Sequence, residues 1–323
     1  MASWQVEEGY ELGEVMISVR ELRKAYGDRT VLDGLSFEVE CGTIFALLGE
    51  NGAGKTTTVR ILSTLIQPDA GKATIAGHDC IKNTAAIRKI ISLTGQYTAV
   101  DEQLTGEENL RMMGRLSRLD RHTIKKRTAE LLQQFDLEEA AGRQVKTYSG
   151  GMRRRLDIAV SLLASPSIIF LDEPTTGLDP RSRMRLWDTI RQLAQSGTTI
   201  LLTTQYLEEA DKLADRIAVM NGGRIVAEGT AEELKRIVGS EWIELIFRHR
   251  DDLAKARALV NGQPDETRNT IAVPSDGSAE SLRRLLNGLH ERGIEPASVQ
   301  LRKPTLDDVF MQMTGRQKEA VSV

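Results

Sequence analysis

Apolar and polar positions along the chain follow three rhythms. In the first, Leu35, Phe37 and Val39 alternate with polar neighbours, the period of a half-buried antiparallel strand, and residues 15–19 predict another strand ahead of them. In the second, the apolar run 44–48 and the largely apolar stretches 167–171 and 199–203 predict strands covered on both faces, as in parallel sheets. In the third, apolar residues recur at helical spacing over 57–65 and again at Leu156, Ala159, Leu162 and Leu163. Shorter patterns predict strands at 73–76, 90–93, 216–220 and 224–227 and helices at 182–194 and 207–214. Thr105-Gly106-Glu107-Glu108 has the form of a capping box and predicts a helix to Leu119, with largely helical chain continuing to about Phe135. Strands alternating with helices around buried runs make this an α/β protein.

From Glu241 the pattern changes to strand 242–247, helix 253–260, strand 270–273, helix 279–292, strand 298–301 and helix 306–313. These short alternating units predict a small α+β domain of ferredoxin-like form. The expected division is a leader at 1–14, a first domain at 15–238 with a helical subdomain at about 97–165, a second domain at 241–316 and a tail at 317–323. No catalytic constellation falls in the second domain, which reads as regulatory or dimer-stabilising.

The chemistry concentrates after the run at 44–48. Gly49-Glu50-Asn51-Gly52-Ala53-Gly54-Lys55-Thr56 matches G-x-x-x-x-G-K-[ST], set between a predicted strand and a predicted helix that includes Thr57. Gly49, Gly52 and Gly54 can adopt backbone conformations closed to other residues, so successive N–H groups converge on one anion, and the helix start adds its positive dipole end. Lys55 is then expected against the β- and γ-phosphates of a nucleotide and the Thr56 hydroxyl on Mg²⁺. The run 167–171 delivers Asp172 and Glu173 to its C-terminal end, where open α/β sheets bind ligands. Asp172 suits Mg²⁺ coordination through water, and Glu173 suits a base polarising the attacking water. Gln96, at the end of another strand, can offer its amide oxygen to Mg²⁺ or to that water. Ser149-Gly150-Gly151 opens a helix and makes a second anion site, with Ser149 as cap. Tyr26, on a turn ahead of the phosphate loop, can stack on a purine ring.

Composition narrows the class. A net charge of -3 argues against a general nucleic-acid binder. The basic run 121–127 reads as a solvated helix face, and Arg153, Arg154 and Arg155 point in three directions around their helix, so not all three can be ligands. The four histidines are scattered without metal-ligand spacing, and two cysteines are too few for a disulfide framework. No run of about 18 apolar residues exists, so any membrane role comes through a partner.

The ordered set of motifs over residues 15–235 resembles the ATP-binding subunits of ABC transporters. Tyr26 resembles the adenine-stacking aromatic, Gln96 the glutamine of the loop that contacts the membrane subunit, and Ser149-Gly150-Gly151 the family signature. Asp172-Glu173 is similar to the Walker B pair and Leu178-Asp179 to the D-loop. The resemblance implies a P-loop NTPase fold, ATP and Mg²⁺ as ligands, and a homodimer in which the phosphate loop of one copy faces the signature of the other. It further implies a separate membrane-spanning permease, with no direct role for nucleic acid and a place on the cytoplasmic face of the membrane. Glu50 and Met152 depart from the common pattern without consequence for a backbone cradle. Gln205 stands where most members carry a histidine that touches the γ-phosphate; a glutamine amide can donate there but cannot carry charge. The text around 148–155 and 202–211, and the phrase Pro304-Thr305-Leu306-Asp307-Asp308-Val309-Phe310, resemble the daunorubicin-resistance type of drug-export ATPase. The resemblance implies export. The rival readings are a soluble ABC ATPase acting on nucleic acid or ribosomes, and a drug-sequestering self-resistance protein.

Overall fold

The computed structural model describes residues 13–95, 99–237 and 241–320, with side chains as far as residue 313. The chain divides into two compact units, 1–230 and 231–323.

The first unit holds two sheets. Strands β1 (Val15–Tyr26), β2 (Arg29–Glu40), β4 (Ala70–Ile75) and β5 (His78–Asp79) form an antiparallel sheet in the order β2-β1-β4-β5. The second sheet is built from β3 (Ile44–Gly49), β6 (Ile91–Thr94), β7 (Ile168–Asp172), β8 (Thr199–Thr204), β9 (Arg216–Asn221) and β10 (Arg224–Gly229). Its order is β10-β9-β3-β8-β7-β6, parallel throughout except for the β9–β10 hairpin. Every residue of β3, β7 and β8 is buried, which is why these strands read as unbroken runs rather than as alternation. One core joins the sheets: Val19, Leu35 and Phe37 from the antiparallel sheet, Val59, Ile61 and Leu62 from helix α1 (Lys55–Leu62), and Phe45, Phe170 and Leu201 from the parallel one.

Register sets the site. Leu48 pairs with Thr204 and Thr203 with Asp172, so β3, β8 and β7 end level with one another. The loops that follow them, carrying Asn51, Gln205 and Glu173, therefore leave the same edge of the sheet, the position where parallel sheets bind ligands.

The intervening helices are α2 (Thr84–Ile90), α3 (Gly106–Leu116), α4 (Arg121–Gln134), α5 (Gly150–Ser161), α6 (Pro180–Gln195) and α7 (Leu207–Leu213). The capping box forms in full: Thr105 accepts from the Glu108 amide and the Glu108 carboxylate accepts from the Thr105 amide. The helical stretch to 135 is broken, because Arg118 turns left-handed at φ 60° and Asp120 caps a fresh helix by accepting from the His122 and Thr123 amides. Two further sequence readings need correction. Arg127 is buried, not solvated; it donates to the Leu162 carbonyl at 2.8 Å and so anchors α4 to the end of α5. Tyr26 does not sit on a turn but closes β1, whose length was hidden by a bulge around Glu21 (φ 49°) that interrupts the alternation.

The second unit comprises α8 (Ala231–Ile237), β11 (Glu241–Ile246), α9 (Arg250–Arg257), β12 (Gln263–Asp265), β13 (Thr270–Ser275), α10 (Ala279–His290), β14 (Ser298–Arg302) and α11 (Leu306–Ala320). The sheet order β12-β13-β11-β14, all antiparallel, with helices after the first and third strands, is ferredoxin-like. Its second strand, β12, at the sheet's edge, escapes the sequence pattern because it is three residues long and contains Pro264. Ile243, Leu245, Leu253, Ile271 and Leu289 form its own core.

Candidate active site

The phosphate-loop sequence folds into a turn between β3 and α1 that only glycine permits at two places. Gly54 takes φ 106°, and a Cβ there would lie 2.6 Å from Leu32 Cδ2 and 2.9 Å from the Val31 carbonyl oxygen. At Gly49 a Cβ would lie 2.5 Å from the Met220 carbonyl oxygen, because β9 packs directly alongside. Asn51 and Gly52 are exposed on the loop, Ala53 and Gly54 are buried beneath it, and α1 begins at Lys55 with Thr56 exposed and Thr57 half-buried. The loop thus presents the N-terminal amides of α1, which lack intrahelical partners, toward the open end of the sheet.

Lys55 is 4% exposed and donates to the carbonyls of Gly49 at 2.7 Å and Glu50 at 3.0 Å. Burial lowers its pKa, while the carboxylates of Glu173 and Asp172 push it back up. Lys55 Nζ stands 3.9 Å from Glu173 Oε1. Thr56 Oγ1 donates to Asp172 Oδ1 at 3.3 Å, and the Thr203 hydroxyl of β8 donates to the same oxygen at 2.5 Å. Phosphate-loop lysine, hydroxyl and both strand-end carboxylates are therefore one cluster.

Glu173 takes φ 49°, a conformation that costs a side-chain-bearing residue about 1–3 kcal/mol unless its surroundings enforce it. Enforcement is present: its amide donates to the Thr203 carbonyl at 3.1 Å and its Oε2 accepts from Thr176 Oγ1 at 3.2 Å. No sequence pattern announces this backbone state.

The remaining expected residues lie around the cluster or apart from it. Gln205 is half-buried directly after β8. Asp179 caps α6, accepting from the Ser182 amide at 3.0 Å and the Ser182 hydroxyl at 2.6 Å, and these bonds lower its pKa. Ser149 caps α5 through the Met152 amide at 3.2 Å. Gly151 is buried against α6, where a Cβ would meet Ser182 Oγ at 2.5 Å; Gly150 is exposed, and among the described residues no atom beyond its chain neighbours and its own helix backbone lies within 4 Å of its Cβ position. Tyr26 is 48% exposed with Lys24 Nζ 5.6 Å from its ring centroid. Gln96 lies outside the described residues.

Two residues around the site were not singled out from sequence. Glu209 on α7 is fully buried, receives the Trp187 indole N–H at 3.1 Å, and has its pKa raised by that burial. Arg154 is 7% exposed, while its neighbours turn outward, Arg153 to Glu102 at 2.8 Å and Arg155 to the Phe135 carbonyl at 2.6 Å. Three consecutive arginines give no hint of which one faces inward until the helix is placed.

A nucleotide-phosphate loop, a level strand-end acid pair and a glycine-opened helix on a largely parallel sheet define a P-loop ATPase of the cassette type. Comparison gives the same answer: a family model described as ABC transporter matches residues 32–176. The daunorubicin resistance ATP-binding protein DrrA3 of Streptomyces coeruleorubidus is 49% identical over 96% of this chain and 100% of its own length. The doxorubicin resistance ATP-binding protein DrrA of Mycobacterium tuberculosis is 47% identical, covering 96% of each chain. The Nod factor export ATP-binding protein I of Ralstonia nicotianae is 40% identical over 94% of each. A solved ATP-binding subunit of an ABC transporter superposes with TM-score 0.62 at 30% identity over 69% of this chain and 92% of that one. The chain belongs to the ATP-binding proteins of ABC transporters, of the daunorubicin-resistance type, and is an ATP-hydrolysing transport ATPase.

Proposed function

We propose that this chain powers an exporter of lipophilic, drug-like compounds, dimerising around ATP and driving a separate membrane-spanning permease from the cytoplasmic face of the membrane. Three observations support this. Relatives 47–49% identical carry drug-resistance names across nearly the full length of the chain. Among the described residues no helix is long and apolar enough to cross a membrane. The signature glycine Gly150 opens outward, with nothing among the described residues beyond its chain neighbours and its own helix within 4 Å of a Cβ there, which suits a ligand and a second copy.

In this reading the amides of Asn51, Gly52, Ala53, Gly54, Thr56 and Thr57 and the ammonium of Lys55 hold the β- and γ-phosphates. Tyr26 takes the adenine on its exposed face. Thr56 Oγ1 and Asp172 Oδ1, hard oxygen donors 3.3 Å apart, would hold Mg²⁺, Asp172 through water, with Gln96 as a further donor. Bound there, Mg²⁺ would neutralise phosphate charge. Glu173 polarises the attacking water; its left-handed backbone and the Thr176 contact fix where its carboxylate points. Gln205 donates to the γ-phosphate as a neutral group. Ser149, Gly150, Gly151 and Asp179 of one copy close over nucleotide held by the other, completing each site only in the dimer.

The carrying observation is the single cluster of Lys55, Thr56, Asp172 and Glu173. The cargo is a coarser matter, since linearmycin resistance and Nod factor export proteins align over nearly the whole chain at 35% and 40% identity. Selection among cargoes then belongs to the permease. Light scattering of Glu173→Gln protein tests the assembly: Mg-ATP is expected to give a dimer that ADP does not, and a monomer under both conditions contradicts it. Co-expression with a candidate permease is expected to lower accumulation of a fluorescent anthracycline, and equal accumulation with the Lys55→Ala variant contradicts the pump reading.

A further inference from the structure

Arg154 makes a set of contacts that the phosphate and metal chemistry leaves unexplained. Its Nε donates to the Pro174 carbonyl at 2.9 Å and an Nη donates to the Asp172 carbonyl at 3.3 Å. These two carbonyls flank Glu173, the residue held at φ 49°. The other Nη donates to the Gly95 carbonyl at 2.7 Å, just past the end of β6, and to Asp157 Oδ2 at 3.3 Å. Asp157, 4% exposed, uses its second oxygen to accept from the Ala99 amide at 2.8 Å. All of this hangs from α5, one turn beyond Gly150 and Gly151.

A buried guanidinium is expensive to desolvate, so its presence needs partners that use its fixed fork of donors. Here one plane of N–H groups grips the backbone on both sides of Glu173 and the chain after β6. The ion pair with Asp157 extends the grip to Ala99. A carbonyl-rich site with one carboxylate could be filled by no other side chain with the same reach, since lysine offers a point charge without the planar fork.

We propose that Arg154, braced by Asp157, is a positioning residue for hydrolysis. It holds Glu173 in its left-handed conformation and ties that conformation to α5 and to the chain at Gly95 and Ala99. This rests on the reading of Glu173 as the base. In the ATP dimer, Glu173 serves the nucleotide on its own phosphate loop, whereas the start of α5 serves the nucleotide held by the other copy. Arg154 therefore joins, within one chain, a part of each of the two sites. A shift of α5 as the partner's nucleotide changes is transmitted through rigid hydrogen bonds to the Glu173 backbone.

The test compares full-length wild type, Arg154→Lys, Asp157→Asn and Glu173→Gln in steady-state ATP hydrolysis, nucleotide binding and thermal unfolding. Arg154→Lys keeps charge and bulk but loses the fork, so kcat is expected to fall about ten- to a hundredfold with the Kd for Mg-ATP within about twofold of wild type. Asp157→Asn, which keeps the acceptor for Ala99 but drops the ion pair, is expected to lose less turnover, and the double variant less than the product of the two losses. Wild-type kcat in Arg154→Lys overturns the proposal, and so does a loss of kcat and ATP affinity by the same factor together with a lowered Tm. Glu173→Gln separates the two levels: wild-type turnover there removes the base reading itself, whatever Arg154→Lys does.

Discussion

Lys55 Nζ stands 3.9 Å from Glu173 Oε1, and both side chains are at most one-tenth exposed. The two groups come from separate loops, after β3 and after β7, and meet because β3, β8 and β7 are adjacent and end level. In the resting chain each partly neutralises the other; the lysine's ammonium also rests on loop carbonyls. Lys55→Ala removes a charged donor worth about 1.5–3 kcal/mol, so Mg-ATP affinity is expected to fall about ten- to a hundredfold in equilibrium binding, with little change in Tm.

Gly150 and Gly151 are neighbours in sequence with opposite surroundings. Alanine at 151 drives a methyl into Ser182 at the start of α6, so Gly151→Ala is expected to lower Tm as well as activity. Alanine at 150 meets nothing among the described residues beyond its chain neighbours and its own helix, and suits a helix, so Gly150→Ala is expected to keep the wild-type Tm and still lose turnover, because the methyl occupies space kept for the other copy's nucleotide. Equal effects of the two substitutions on Tm contradict this.

The phrase at 304–310 has a structural reason. Asp308 accepts from Arg302 through both guanidinium nitrogens at 2.9 and 3.0 Å and from the Thr305 amide and hydroxyl at 2.8 Å each, locking the start of α11 to β14. Burial pushes the Asp308 carboxyl up, but these bonds outweigh it and the pKa ends below the usual 3.8. A depressed carboxylate pKa contributes stability that is present above the unfolded value and lost as pH falls through the folded one. Asp308→Asn is expected to cost about 1–2 kcal/mol near neutrality, with the difference from wild type shrinking in chemical unfolding as the pH falls below the usual carboxylate range.

Gln205 carries no titratable group, so the pH profile of kcat is expected to lack a histidine-type ionisation from this position. Gln205→His is expected to introduce one at about pH 6–7. A wild-type ionisation in that range that vanishes on replacing Gln205 contradicts a neutral contact.

Much of the site was legible because its residues are local. The strand–loop–helix of 44–62, the acid pair closing a buried run and the Ser149 cap each lie within one stretch, where periodicity and turn chemistry act. The capping box at Thr105 and Glu108 formed as its sequence required for the same reason. What escaped was set at long range. The burial of Arg154 between Gly95, Asp172 and Pro174, and of Arg127 against Leu162, depends on where distant carbonyls fall once α5 is docked. The left-handed turn at Glu173 is supported by Thr203, thirty positions away in sequence, whose carbonyl and hydroxyl accept from the Glu173 amide. β12 was missed because three residues with a proline carry no alternation to detect. The sequence pattern puts Tyr26 on a turn because the bulge at Glu21 breaks the rhythm of a strand that continues past it.

The most direct measurement is single-turnover ATP hydrolysis by full-length Glu173→Gln beside wild type, with nucleotide binding measured on the same samples. Turnover is expected to fall about 10²- to 10⁴-fold with ATP binding retained, as loss of a general base requires. Hydrolysis at the wild-type rate would place the water-activating group elsewhere in the cluster and contradict the role given to Glu173.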